Sequence, residues 1–207
     1  MSAPPKTVLD VGPGEAEAIR LAVQRADPRT LESGRALAEA QDADGLTGFL
    51  SDPRVSGSIY DLPRPIEPAT IGRWIEACAA ARQRGEGLLM LTRDADGVIS
   101  GYSKITVWPE RSAAELAGAI RADRQNAGQG GAGAWRTVHW MFETLGVRLI
   151  CLTAAMDNIR SARLIEAMGF VRMGERTAVA DDGVERQSLY WEMTREDWRG
   201  PAAVQTT

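Results

Sequence analysis

Residues 124–135 read Arg124-Gln125-Asn126-Ala127-Gly128-Gln129-Gly130-Gly131-Ala132-Gly133-Ala134-Trp135, with four glycines inside six positions. An amphipathic pattern starts at once. Trp135, Val138, Phe142 and Leu145 recur at i, i+3, i+7 and i+10, which is one face of a helix. Glycine lets a backbone come close to a ligand and adopt unusual dihedrals. The first N–H groups of a helix have no partner within it, and the positive end of its dipole lies there. A glycine-rich turn feeding a helix is therefore an anion cradle, and it predicts a phosphate-bearing ligand.

The flanks set the fold class. Ala113 to about Arg121 reads as a strand running into the glycine stretch, and Gly146 ends the helix that follows. Residues 147–153 are apolar and β-branched, a buried strand. Asp157-Asn158 caps a short helix that runs to Ala167 and is closed by Gly169. Residues 171–179 and 187–193 form a final hairpin around Asp181-Asp182-Gly183. Upstream, residues 87–92 and 98–108 are strands joined by an Asp96-Gly97 turn, with Gly101 marking a bulge or bend. A helix from Glu67 to Gly85 carries Ile71, Trp74, Ile75 and Cys78 on its apolar face. Further helices are predicted over 28–39, with Asp27 as cap and Pro28 at its start, and over 44–50. Residues 51–57 are turn chemistry. The order is strand, helices, antiparallel meander, then strand–loop–helix–strand, helix and two strands. That is an α/β mixed-sheet layout without regular βαβ alternation.

The chain has 207 residues, 44% apolar and 25% charged, with a formal charge of −4. These are the proportions of a single globular domain with a normal core. The predicted division is a flexible lead-in over 1–15, a domain over 16–198 and a tail over 199–207. The acidic balance argues against a general grip on nucleic acid. Cys78 and Cys151 match no metal spacing and no disulfide framework. No apolar run is long enough to span a membrane, and the first residues lack a signal-like apolar stretch. The expectation is a cytoplasmic protein without metal, nucleic-acid or membrane partners, as a monomer or homodimer.

Two nucleotide-type motifs have to be weighed. Val8-Leu9-Asp10-Val11-Gly12-Pro13-Gly14 has the form of the first motif of S-adenosylmethionine-dependent methyltransferases. That motif needs a helix next. Ile19, Leu21 and Val23 instead alternate with Arg20, Ala22 and Gln24, which predicts a half-buried strand. Gly128-x-Gly130-x-x-Gly133 satisfies the dinucleotide fingerprint, but the strand 149–153 ends in no acid to hold a ribose.

A closer resemblance rests on two segments. Gln125-x-x-Gly128-x-Gly130 is similar to the acetyl-CoA loop of the GNAT family of N-acetyltransferases, (Arg/Gln)-x-x-Gly-x-(Gly/Ala). Asn158-Ile159-Arg160-Ser161, followed by Leu164-Ile165-Glu166-Ala167-Met168-Gly169-Phe170, resembles the segment after that family's fifth strand. The resemblance is sharpest from 115 to 170 and extends more weakly over 17–195, including Ile19-Arg20-Leu21. The strand at Ala114-Glu115-Leu116 and the last hairpin look most like the subgroup acting on ribosomal-protein N-termini, polyamines and related amines. Gly131 and Gly133 depart from the pattern, which usually has better helix formers there; each costs about 1 kcal/mol against Ala.

The resemblance implies a central, mostly antiparallel sheet with splayed strands, flanked by helices, and acetyl-CoA as cosubstrate. Its pyrophosphate would meet backbone N–H groups among Asn126, Ala127, Gly128, Gln129, Gly130 and Gly131, with Gln125 supporting the loop or a phosphate. Pantetheine would lie between the strand ending near Arg121 and the one at 150–153. Asn158 either bonds the pantetheine or caps its helix. Arg160 and Arg163 either meet the adenosine phosphates or are solvated. The acceptor is a primary amine, on a small molecule or a protein N-terminus, in a pocket built by residues 28–85 and the last hairpin.

Acetyl transfer to an amine needs a base to remove a proton and a donor for the developing oxyanion. In the family a backbone N–H on a bulged strand before the loop is that donor. Glu115 is the predicted base, against the reading that it is an ordinary strand residue. Many relatives carry a tyrosine acid four residues after the serine of the second motif. Here that position is Ile165, which leaves Ser161 as the acid or as a helix-capping serine. Tyr102 and Tyr190 are reserves, and His139 is read as a packing residue. The predicted activity is N-acetyl transfer; a non-catalytic CoA-binding module and a methyltransferase are the alternatives.

Overall fold

The computed structural model describes residues 4–57, 59, 61–124, 129–179 and 185–200. In chain order it places α1 at Pro13–Arg25, β1 at Arg35–Leu37, α2 at Ala43–Leu50, a single turn α3 at Pro53–Ser56 and α4 at Pro68–Gln83. Then come β2 at Gly87–Arg93, β3 at Ile99–Trp108, β4 at Ala113–Ile120, and α5 at Gln129–Trp140 continuing as a π-helical turn, Met141–Leu145. β5 at Leu149–Ala155, α6 at Ile159–Ala167, β6 at Val171–Val179 and β7 at Glu185–Thr194 complete the fold.

The strands form one seven-stranded sheet in the order β1-β2-β3-β4-β5-β7-β6. Every pairing is antiparallel except β4 with β5. Alternation along each strand divides the side chains between two apolar layers. One layer unites Ile19 and Val23 of α1, Val138 of α5, Phe142 and Ile165 of α6 with Ile105, Val107, Ala114, Ile150 and Trp191 of the sheet. The other unites Leu46 of α2 and Ile71 and Ile75 of α4 with Leu89, Leu91 and Tyr102. The predicted reserve acid Tyr102 is therefore core: its ring meets Phe49 and Trp74 edge-on, and burial pushes its phenol upward.

Two sequence expectations are corrected. The strand predicted at Ile19-Leu21-Val23 is helix α1, which also runs across the boundary expected at residue 15. Its buried residues are Ala16, Ile19 and Val23, at i, i+3 and i+7, while Leu21 is 37% exposed. Pro13 in the first turn and Glu15 near the N-terminus favour that helix. The short alternation was part of a longer helical period. The helix predicted over 28–39 is only a 3₁₀ turn, Pro28–Thr30, capped by Asp27 as expected. Gly34 then takes φ +80°, and a Cβ there would meet the Arg93 carbonyl oxygen at 3.0 Å. That turn lets residues 35–37 pair with β2, and the ladder overrides helix propensity.

The first described residues are tied down. The Glu192 carboxylate accepts the Lys6 N–H at 2.7 Å, the Thr7 N–H at 3.2 Å, the Tyr190 hydroxyl at 2.5 Å and the Thr7 hydroxyl. Arg111 and Arg148 hold the Pro5 and Asp10 carbonyls, and Arg148 also pairs with Glu15 at 2.7 Å. Residues 4–12 thus pass around one end of the sheet, with α1 on one layer and Thr7 against β7. Burial pushes the Glu192 carboxyl up, but hydrogen bonds from Thr7, Tyr190 and Lys6 outweigh it and leave it below its ordinary 4.5. A carboxyl with a lower pKa folded than unfolded contributes stability above its unfolded value, and that contribution is lost as pH falls through the folded one. Below about pH 4.5 the melting temperature of Glu192→Gln is expected to fall less steeply than that of the wild type. Parallel acid limbs in thermal scans would disconnect this carboxylate from acid stability.

Candidate active site

β4 and β5 part company at one rung. Ala113, Ala114 and Glu115 pair with Leu149, Ile150 and Cys151, and no pairing follows. β4 continues along β3 to Ile120, while β5 continues along β7 to Ala155. The result is a V-shaped opening with Glu115 and Cys151 at its apex, widening towards residue 121 and the start of α5. This is the splay expected from the sequence resemblance.

The register decides which backbone groups line it. The Arg121 N–H donates to the Ser100 carbonyl at 2.8 Å, and the Ser112 carbonyl accepts the Leu149 N–H at 3.0 Å. Odd-numbered residues of β4 therefore turn towards β3 and even-numbered ones towards β5. Past the last rung, Gly118 points its N–H into the opening. A Cβ at Gly118 would lie 2.5 Å from the Tyr102 carbonyl oxygen, so no side chain fits there. The bulged strand implied by the resemblance is not seen as a register shift: β4 pairs with β3 without a break from Ala113 to Ile120. The bulge lies instead between β2 and β3, where Thr92 faces Gly101 and Arg93 faces Ile99, next to the Gly101 flagged in the sequence.

Glu115 is 8% exposed and accepts the Thr153 hydroxyl at 3.1 Å across the apex. It lies directly between Thr106 of β3 and Cys151 of β5, on the face served by α2 and α4. On the same face, Tyr190 is opposite Thr153 and Glu192 is opposite Cys151. Arg176 covers the Tyr190 ring, its guanidinium carbon 4.0 Å from the centroid. Burial, reinforced by Glu115, pushes the Cys151 thiol well up, so it stays protonated and is no nucleophile. Tyr190 is likewise pushed upward by burial, and its hydroxyl is committed to Glu192. Tyr190 is the reserve acid named from the sequence, whereas Thr153 and Glu192 carry no signal there, because only the cross-strand register brings them to Glu115.

Asn158 is the N-cap of α6: its Oδ1 accepts the Ser161 N–H at 3.1 Å. That leaves its amide N–H₂ for a ligand. Ser161 is half-buried in the first turn, and Arg163 is exposed on the same helix. Ile165, at the position where relatives carry tyrosine, is buried in the core. Gln125, Asn126, Ala127 and Gly128 lie outside the described residues. α5 starts at Gln129, and a Cβ at Gly131 would touch Leu164 Cδ1 of α6 at 3.4 Å. Nothing lies within 4 Å of such an atom at Gly133. Of the two glycines unusual for the family, Gly131 therefore serves close packing of α5 on α6. His139 is an exposed packing residue whose Nδ1 accepts the Trp198 indole N–H at 3.4 Å. No group of three side chains suited to a metal occurs among the described residues. None of the helices among them is long and apolar enough to cross a membrane.

A parallel pair splayed inside an otherwise antiparallel sheet, its first strand followed by a helix with a glycine-rich start, is the architecture of one class of acyltransferase. The family model for the GNAT acetyltransferase domain matches residues 35–171, well over half of the chain. The chain belongs to the GNAT acetyltransferase family, and it is an acetyl-CoA-dependent acetyltransferase. The match begins at Arg35, in β1, and leaves out Ile19-Arg20-Leu21, which form part of helix α1.

Solved structures agree on the fold. The ribosomal-protein-S5-alanine acetyltransferase of Vibrio fischeri superposes with a TM-score of 0.66 at 17% identity, covering 80% of this chain and 94% of that one. RimJ of Mycobacterium smegmatis, solved with CoA-disulfide, gives 0.66 at 16% identity, covering 78% and 81%. An acetyltransferase of Salmonella typhimurium, solved with acetyl-CoA, gives 0.59 at 17% identity, covering 82% and 97%. No curated protein matches the chain by sequence. The helix that the methyltransferase motif needs is present after all as α1, but among the described residues no strand precedes it, so the methyltransferase reading fails on the fold.

Proposed function

We propose that the protein transfers acetyl from acetyl-CoA directly to a primary amine, with Glu115 as the base. The observation that carries this is a buried carboxylate at the apex of the opening between β4 and β5. When bound, the cosubstrate supplies an activated thioester carbonyl. The amine nitrogen forms a bond to that carbon, and the carbon–sulfur bond breaks. Glu115, directly or through a water, takes the proton the amine must lose. The Gly118 N–H donates to the oxygen on which charge develops. The Ser161 hydroxyl donates a proton towards the leaving thiolate. The Asn158 amide N–H₂, Arg163 and the backbone of residues 125–131 hold the pantetheine and phosphate portions. The acceptor, a small-molecule amine or a protein N-terminus, lies on the α2/α4 face, where Glu115 points.

The glycine loop is tested by Gly128→Glu. Bulk and negative charge beside the pyrophosphate are expected to weaken acetyl-CoA binding at least about a hundredfold by calorimetry. Affinity within about threefold of wild type would remove this loop from the binding site.

A further inference from the structure

A cavity of about 300 Å³ lies between the C-terminal part of α4 and β3, on the same face as Glu115. Its lining includes Cys78, Arg84, Glu86, Lys104, Thr106 and Glu110. Thr106 is the cross-strand neighbour of Glu115, and Lys104 is that of Ala117. One lining residue, Thr106, therefore sits one strand spacing, about 4.8 Å, from the proposed base. Lys104 and Glu115 are diagonal neighbours on one face, their backbones about 7 Å apart.

The charges around this cavity are unequal in their commitments. Glu86 is paired with Arg84 at 2.6 Å, and Glu110 is paired with Arg20. The Lys104 side chain has neither a hydrogen bond nor an ion pair among the described residues, its backbone being paired with Ala117 in the ladder. It is only half-exposed, in mid-strand near the centre of the sheet, near the half-buried Cys78 thiol. An ammonium held there loses part of its hydration and makes no ion pair among the described residues, with the Glu115 carboxylate one diagonal away along the sheet. The two acids in the lining are each paired with an arginine, which leaves the Lys104 ammonium as the lining charge without an ion-pair partner, facing a space large enough for a small molecule.

We propose that this cavity is the acceptor pocket and that the acceptor is a small amine carrying an anionic group, carboxylate or phosphate. The anion pairs with Lys104 while the amine is presented to Glu115. The inference rests on the reading of Glu115 as the base. An anionic acceptor runs against the overall charge of −4, which taken alone would favour a cationic amine. The chemistry is the acetyl transfer above: the nitrogen–carbon bond forms, the carbon–sulfur bond breaks, and no other reactant is needed.

The test uses matched acceptors and three proteins. β-Alanine is compared with β-alaninamide, and O-phosphoethanolamine with ethanolamine, in wild type, Lys104→Met and Lys104→Arg. In the wild type, kcat/KM for at least one anionic member is expected to exceed that of its neutral partner by about tenfold or more. The pair that shows the preference tells carboxylate from phosphate. In Lys104→Met the preference collapses through KM with kcat kept, and Lys104→Arg restores it. A wild type indifferent to the anion, or a preference that survives in Lys104→Met, overturns the inference while leaving the transferase reading intact. Calorimetry of the two anionic amines against the CoA-bound proteins separates the opposite case. Binding to wild type and Lys104→Arg but not to Lys104→Met, without turnover, upholds the anion site and rejects the base assignment. Neither binding nor turnover in the wild type rejects this pocket.

Discussion

Glu115→Gln is expected to lower kcat for amine acetylation by about 10²–10³-fold with acetyl-CoA affinity unchanged within about twofold. The amide keeps the shape of the carboxylate and an oxygen to accept the Thr153 hydroxyl, now at 3.1 Å. Packing at the apex is then preserved, and what is lost is the ability to take a proton. General-base catalysis is worth about 10²–10⁴-fold, and a proton relayed through water belongs in the lower part of that range. An alternative account makes Glu115 a strut that ties β4 to β5. That account calls for a lower melting temperature and little change in kcat. Single-turnover acetylation measured beside thermal unfolding separates the two. A variant with normal kcat would end the base assignment.

The second large effect concerns α1, which precedes the segment matched by the family model. Removing residues 1–26 is expected to destabilise the fold by about 3–6 kcal/mol, taking about 1.5–3 kcal/mol for each large apolar side chain withdrawn from water. Ile19 and Val23 are 2% and 0% exposed, in the same apolar layer as Phe142 and Trp191. The deletion also removes Lys6 and Thr7 from Glu192 and Glu15 from Arg148. Against the 5–15 kcal/mol typical of a domain, this leaves a protein near its threshold. Urea unfolding measures it, and a loss below about 1 kcal/mol would show that α1 only rests on the surface.

The two predictions draw on different parts of what was legible in the chain. Glu115 is visible in the sequence because it stands on a strand that leads into a glycine loop, within the segment of sharpest resemblance. Its companions Thr153 and Glu192 are not, and Tyr190 is named there only as a reserve acid, because their alignment depends on the register of β5 against β7. A shift of one residue would send all of them to the other face. Lys104 reads as an ordinary strand lysine until the pairings of Glu86 and Glu110 are known. α1 was misread because five residues of alternation match period two while thirteen match the helical period. The segment 28–39 was misread because Asp27 and Pro28 do start a helical turn, and only an edge strand waiting on β2 explains why it stops.

The sequence by itself determined the class of sheet, the placing of a glycine-rich stretch between β4 and α5, the Asn158 cap, the Gly169 terminator and the family. Each is a local matter of turn chemistry, caps and periodicity within about a dozen residues. Tertiary structure alone decided where β4 and β5 separate, which face Glu115 shares with Lys104 and Thr153, and how residues 4–25 enclose one end of the sheet. Those depend on pairings between residues up to 186 positions apart, as Lys6 and Glu192 are. Strand register and side-chain parity, which no local pattern encodes, set them.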